Sequence, residues 1–217
     1  MRTLPSLLAL LVALDASAAT APAKKAAPHP SLVPVQDVAG LPRVLLIGDS
    51  ISMGYTLPVR KLLEGKANVH RIPANGGPTK NGLAHISNWL GTSKWDLIHF
   101  NGSIHDLKFM PHGKRQVEPA DYEKNLRELA AMLKATGARL IWATTTRIPK
   151  GELVPTRRFG EVGEYNAIAT KIMKAGGVRV NDLNAYVTPQ LAKLQKPKDH
   201  HYTDEGYTFW EIWGQGK

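Results

Sequence analysis

Short apolar runs alternate along this chain with amphipathic stretches of helical period, and no other feature of the sequence constrains the fold as much. Runs at 43–48, 69–73, 96–101, 139–145 and 178–183 have strand length. Between them, 79–90 carries Leu83, Ile86 and Leu90 at helical spacing. The stretch 119–136 puts Tyr122, Leu126, Leu129 and Leu133 on one face and ends before Gly137. The stretch 160–175 does the same with Val162, Tyr165, Ile168, Ile172 and Met173, closed by Gly176-Gly177. Apolar strands separated by amphipathic helices predict an α/β domain: a mostly parallel five-stranded sheet covered on both faces. No internal repeat breaks the pattern. Ligands of such sheets bind at the carboxyl ends of the strands, which here are 48–50, 74–77, 101–106 and 144–147.

The first strand end is the most informative. Val44-Leu45-Leu46-Ile47 reads as a buried strand, Gly48-Asp49-Ser50 breaks it, and 52–63 reads as the helix that follows. This places Ser50 at a helix N-terminus, where free backbone N–H groups and the helix dipole favour negative charge. A nucleophilic oxygen, and the oxyanion it generates, would both be stabilised there. Gly, Asp and Ser are also ordinary turn residues, so the tripeptide needs support from elsewhere in the chain.

A serine needs a base, and the base needs an acid to orient it. Both are present near the C-terminus in Asp199-His200-His201-Tyr202-Thr203. Asp199 and His201 are two residues apart, a spacing that lets the carboxylate reach Nδ1 while Nε2 faces Ser50. A surface loop is the plain alternative, and a metal site built from His99, His105, Asp106, His200 and His201 is the chemical rival. His-x5-His across a strand end is not a zinc-ligand spacing, which argues against that rival.

The 217 residues are enough for one domain with a sizeable core. Residues 1–18 look like a secretory signal: Arg2, a short apolar stretch over 4–14, and Ala16-Ser17-Ala18 as a cleavage site. The apolar stretch is shorter than the roughly 20 residues a membrane span needs. Residues 19–42, rich in Ala, Pro and Lys, read as a linker without a packable face. The chain has no cysteine, hence no disulfide. Its formal net charge of +10 is spread along the sequence without a basic cluster interleaved with aromatics, so no nucleic-acid partner is expected. Arg147, Arg157 and Arg158 flank the fourth strand end and read as solvated loop charges or as contacts for an acidic substrate. Tyr207, Phe209, Trp210 and Trp213 read as the core face of a final helix, with a sugar-stacking surface as the alternative.

Taken together, Gly48-Asp49-Ser50-Ile51, the glycines after the second strand, the polar block after the third, and Asp199-x-His201 followed by Tyr202-Thr203-x-x-Gly206-Tyr207 resemble the SGNH/GDSL hydrolase superfamily. The resemblance spans roughly 43–207. It implies a three-layer α/β/α flavodoxin-like sandwich and ester hydrolysis through an acyl-serine, with no cofactor or metal. Ser50 matches the nucleophile, His201 the base and Asp199 the orienting acid. The family more often has that acid three residues before the histidine, where Lys198 stands here. The family's oxyanion hole uses the serine N–H, a glycine N–H and an asparagine side chain. Ser50 supplies the first donor. Gly76 or Gly77 supplies the second, with Gly77 favoured because it precedes the Pro78-Thr79 helix entry. In the third block Ser103-Ile104-His105-Asp106 replaces Gly-x-Asn-Asp, so either His105 or Asn101 takes the remaining place. Family and secretion together point to a small acyl group, such as acetyl, on a carbohydrate. The alternatives are a lysophospholipase or thioesterase, or a weakly catalytic carbohydrate-binding protein on the same fold.

Overall fold

The computed structural model describes residues 27–151, 153 and 156–209. Five strands form one sheet: β1 (Arg43–Ile47), β2 (Asn68–Arg71), β3 (Leu97–Phe100), β4 (Arg139–Ala143) and β5 (Arg179–Asn181). Their order is β2-β1-β3-β4-β5 and every pairing is parallel. Four longer helices connect them: α1 (Ser50–Leu62), α2 (Thr79–Leu90), α3 (Pro119–Ala135) and α4 (Val162–Ala175). Three short ones follow: α5 (Leu183–Val187), α6 (Leu191–Leu194) and α7 (Asp204–Phe209).

Strand alternation divides the core into two. Leu45, Ile47, Ile98, Phe100 and Trp142 point to one face of the sheet and pack with Ile86, Leu126, Leu129, Leu133, Tyr165 and Met173 of α2, α3 and α4. Leu46, Val69 and Ala143 point to the other face and pack with Ile51 and Tyr55 of α1 and Leu183 of α5. Five parallel strands between two helical layers make the expected α/β/α sandwich, with the sheet wholly rather than mostly parallel.

Connections from β1 run to β2 on one side, whereas β3, β4 and β5 lie on the other. The direction of winding therefore reverses between β1 and β3, and a crevice opens at their carboxyl ends. Ser50 follows β1 and Asn101 follows β3, so the topology brings those two together.

Three details depart from the sequence reading. β5 is shorter than 178–183, because Asp182 leaves the ladder to cap α5, its carboxylate accepting from the Ala185 N–H at 3.1 Å. α1 begins at Ser50 itself, with Asp49 as its N-cap. The segment expected to be a free linker up to 42 is corrected for its described part. Ser31 is buried, Val38 exchanges hydrogen bonds with the Asn68 side chain at 2.8 and 3.0 Å, and Asp37 pairs with Arg43 at 2.8 Å and with His70. Polar groups anchor this stretch, so its poverty in apolar residues was no guide. The expected signal at 1–18 lies outside the described residues, as do Trp210, Trp213 and the Phe209 side chain. Tyr207 meets the expectation made of it: its ring lies directly on Gly54 of α1, where any side chain would collide. Among the described residues no helix is long and apolar enough to cross a membrane.

Candidate active site

Asp49 explains why the chain turns where it does. Its Oδ1 accepts from the Ile51 N–H at 2.9 Å and caps α1, which sets Ser50 in the first turn. Ser50 Oγ lies 2.8 Å from His201 Nε2, across 151 positions of sequence. His201 Nδ1 lies 2.8 Å from Asp199 Oδ1, and the same oxygen accepts the His201 backbone N–H at 3.1 Å. The two-residue spacing therefore closes a tight turn in which one carboxylate holds His201 twice, by its ring and by its backbone N–H. Lys198, at φ 55, makes that turn in the left-handed region. Burial pulls the Asp199 carboxyl upward, but the hydrogen bonds from His201 outweigh it and hold the group below its ordinary range.

His201, not His200, is the histidine whose Nε2 meets Ser50. The His200 ring is buried, and burial, with the nearby Arg157 charge, pushes its pKa down to about 3. It stays neutral and packs at 4.1 Å between ring centroids on His201. Asp199, His200 and His201 lie within 4.8 Å of one another and are the group of potential metal ligands found among the described residues. Both ring nitrogens of His201 are already engaged, so a metal there would have to displace a contact within the Ser50–His201–Asp199 chain. His99 belongs elsewhere, edge-on to Tyr55 on the α1 face of the sheet.

The backbone around Ser50 is built by close approach. A Cβ on Gly48 would meet Ser52 Cβ at 2.8 Å and Asn101 Oδ1 at 3.0 Å, and one on Gly76 would meet the Gly48 carbonyl oxygen at 2.9 Å. Only glycines let the ends of β1, β2 and β3 come this near. The Gly76 N–H is spent on that contact, donating to Gly48 O at 2.9 Å. Gly77 is the glycine left facing the crevice, at φ 64, its N–H held at 3.0 Å by the exposed Asn75 side chain.

The third block contributes differently from what its residue types suggest. Asp106 is fully buried. Its Oδ1 accepts from both the N–H and the hydroxyl of Thr79, at 2.9 and 2.5 Å, fastening the N-terminus of α2 to the loop after β3. Burial raises its pKa to about 6. Tyr122 Oη donates to Gly102 O at 3.0 Å, and Ser103 shares a hydrogen bond with Thr145, so the loop is braced on several sides. Among the described residues Asn101 has no side-chain hydrogen-bond partner. Its Oδ1 is buried against Gly48, whereas its amide nitrogen is not among the buried, unpartnered atoms. His105 is held neutral chiefly by burial; Asp49 pulls its pKa up, while Arg157, Lys108 and His201 push it down. A small cavity of about 40 Å³ has Gly48, Gly76, Gly77, Asn101 and Gly102 in its wall and runs toward Trp142.

Two arginines were not legible as site residues. Arg71 ends β2 and is buried. Its Nη1 donates to the carbonyls of Ile72 and Ala74 at 3.0 and 2.6 Å. Its Nη2 donates to those of Gly48 and Asp49 at 2.8 and 2.9 Å, and to Ser52 Oγ at 2.9 Å. It ties the end of β2 to the turn that carries Ser50. A basic residue between buried Val69 and Ile72 was the available signal. Arg157 was read with its neighbours as a solvated loop charge or a contact for an acidic substrate; it is only 3 % exposed, donates from Nε to Ile104 O at 2.7 Å, and places its charge near Asp49 and Asp199.

Comparison with known proteins bears on the fold. No protein-family model matches the chain. An arylesterase of Vibrio mimicus is 29% identical over 110 residues, 46% of this chain and 52% of that protein, so the chain spans about half the length of its curated relative. Among solved structures, an acetyl xylan esterase superposes with a TM-score of 0.69 at 15% identity, covering 80% of this chain and 98% of the other. A lipase/acylhydrolase from Enterococcus faecalis gives 0.68 at 19% identity, covering 80% and 93%. An acetylxylan esterase from Geobacillus stearothermophilus gives 0.64 at 21% identity, covering 80% and 92%. The fold is thus the one these acylhydrolases share, as the resemblance to SGNH/GDSL hydrolases implied.

Proposed function

We propose that this protein is a serine esterase. The observation that carries the reading is the hydrogen-bonded chain from Ser50 Oγ to His201 Nε2 and from His201 Nδ1 to Asp199 Oδ1, each 2.8 Å. His201 takes the Ser50 proton as Oγ attacks the ester carbonyl, then delivers it to the departing alcohol. Asp199 fixes the tautomer with Nδ1 protonated and stabilises the imidazolium. Water deprotonated by His201 next attacks the acyl-serine and releases the acid. The oxyanion forms beside the Ser50 and Gly77 N–H groups. Asn101 completes the hole in preference to His105, because its side chain stands beside Gly48 at the end of β3, whereas His105 Nε2 is fully buried. Asn75 must yield the Gly77 N–H when substrate binds.

The acyl group in this reading is short, acetyl above all, and the alcohol is a carbohydrate. Two things support that preference. The cavity of about 40 Å³ beside Gly77 and Asn101 admits a group of roughly methyl to acetyl size. Proteins of the same fold include acetyl xylan esterases. The residues at 1–18 support secretion or export to the periplasm, where polysaccharide esters are met.

The test is hydrolysis of p-nitrophenyl acetate by the purified protein and by Ser50→Ala, followed by a series of longer acyl esters. Loss of turnover in the variant and a fall in kcat/KM from acetate to octanoate are expected. Equal turnover by Ser50→Ala would refute the mechanism, and a preference for octanoate would move the assignment to lipid or thioester hydrolysis.

A further inference from the structure

Resting on the esterase reading, we propose that the ester is carried by an anionic polysaccharide, whose acid groups dock on a cationic rim formed by Arg147, Lys150 and Arg158. The rim is fastened to the catalytic loops. The Gln195 side-chain amide donates to Arg147 O at 2.9 Å and lies 3.4 Å from His200 O, linking the rim to the loop that holds His201. On the other side, Phe109 N–H donates to Thr156 O at 2.9 Å, and Arg157 reaches Ile104 O at 2.7 Å, linking the rim to the loop after β3.

The three charges are exposed, and aromatic rings hold them. The Arg158 guanidinium lies 3.9 Å over Phe109. The Arg147 guanidinium and the Lys150 ammonium lie 5.7 and 5.6 Å from the centre of Phe159, a ring 45% exposed. A ring face orients a cation without neutralising it, unlike a carboxylate partner. None of the three has a carboxylate partner among the described residues. Among the described residues, Glu161 and Glu164 of the following segment are taken by Arg115, at 3.5 and 2.8 Å.

Asp49 caps the helix that begins at Ser50 and Asp199 holds His201, so a substrate's own acid group is repelled from the triad and drawn to the rim. A polymer fits better than a small anion. The cations are spread over two rings, and Phe159 offers an open apolar face against which a sugar ring can lie.

The experiment compares kcat/KM on an acetylated neutral gluco-oligosaccharide with that on an acetylated oligogalacturonate, at about 50 and about 500 mM NaCl. Wild type should prefer the anionic ester by about tenfold or more at low salt, with the preference shrinking at high salt. In R147Q/K150Q/R158Q the anionic-to-neutral ratio should fall at least about fivefold, mainly through KM. A wild-type ratio near unity, or a ratio unchanged in the variant, would overturn the proposal. A binding arm separates this from the esterase reading. Ser50→Ala is titrated with unesterified oligogalacturonate and with inorganic phosphate. Salt-sensitive binding of the oligogalacturonate, lost in the charge variant, supports the rim even if no ester is turned over. Tighter binding of phosphate than of the oligomer would overturn the polysaccharide assignment.

Discussion

Replacing Arg71 by Met tests whether the turn carrying Ser50 is held by side-chain donors from the neighbouring strand. The change removes five contacts. Gly48 O keeps the Gly76 N–H and Asp49 O keeps the Met53 N–H, each near 3 Å. Ile72 O and the Ser52 hydroxyl lose a donor in a buried setting, and Ala74 O, partly exposed, can turn to water. A buried acceptor that loses its donor costs about 1–3 kcal/mol. Relief of a cation that burial has pulled down to about 10 offsets part of that. The net loss of stability should be about 2–3 kcal/mol. Catalysis should suffer separately. The lost fork is what holds Gly48, Asp49 and Ser52 in register with β2, and a displacement of about 1 Å at a reacting atom costs about 10²-fold. Urea unfolding followed by circular dichroism gives the first number. The kcat and KM for p-nitrophenyl acetate give the second, with the loss expected in kcat. Arg71→Lys should fall between, because an ammonium carries the charge but cannot reach both sets of carbonyls at once. Wild-type kcat together with a stability change under about 0.5 kcal/mol in Arg71→Met would show that the turn holds itself.

Three further outcomes are expected. Asp199→Asn should leave the fold intact and lower kcat/KM by about 10³–10⁴-fold, since an amide at that place favours the wrong imidazole tautomer; a loss under about tenfold would remove Asp199 from the mechanism. Asn101→Ala should lower kcat by about 10²–10³-fold with KM little changed, the signature of a donor that acts on the oxyanion, whereas His105→Gln should cost far less; the reverse order would transfer the role to His105. Asp106 has a folded pKa raised from 3.8 to about 6, so the folded state binds its proton more tightly than the unfolded chain does. Its contribution is therefore most favourable below about pH 4 and is lost as pH rises to about 6, a change of about 3 kcal/mol. The difference in urea stability between wild type and Asp106→Asn, followed from pH 4 to 7, should shift by an amount of that order against wild type; a constant difference would refute the assignment.

The sheet and its longer helices were legible because burial imposes a period. Strands 43–48 and 96–101 and helices 79–90 and 119–136 sit within two residues of their observed bounds. Short elements had no period to show. α5 and α6 are too brief for a repeating face, and β5 ends where Asp182 caps. The docking of residues 30–38 was hidden for a related reason. It rests on Asn68 pairing with backbone groups, and backbone groups leave no trace in hydropathy.

By itself the sequence determined the α/β alternation, the helix N-terminus that receives Ser50, and the local turn in which Asp199 can hold His201. These follow from near neighbours: apolar period, an N-cap, a two-residue spacing. Only the tertiary structure decided which far residues meet. It set His201 against Ser50, spent the Gly76 N–H on Gly48 and so left Gly77 to the crevice, turned Asp106 into a brace for α2, and buried Arg71 and Arg157 beneath the site. An arginine's role depends on which carbonyls and charges surround its guanidinium. Those neighbours come from other strands and loops, so no local pattern distinguishes a buried brace from a solvated charge.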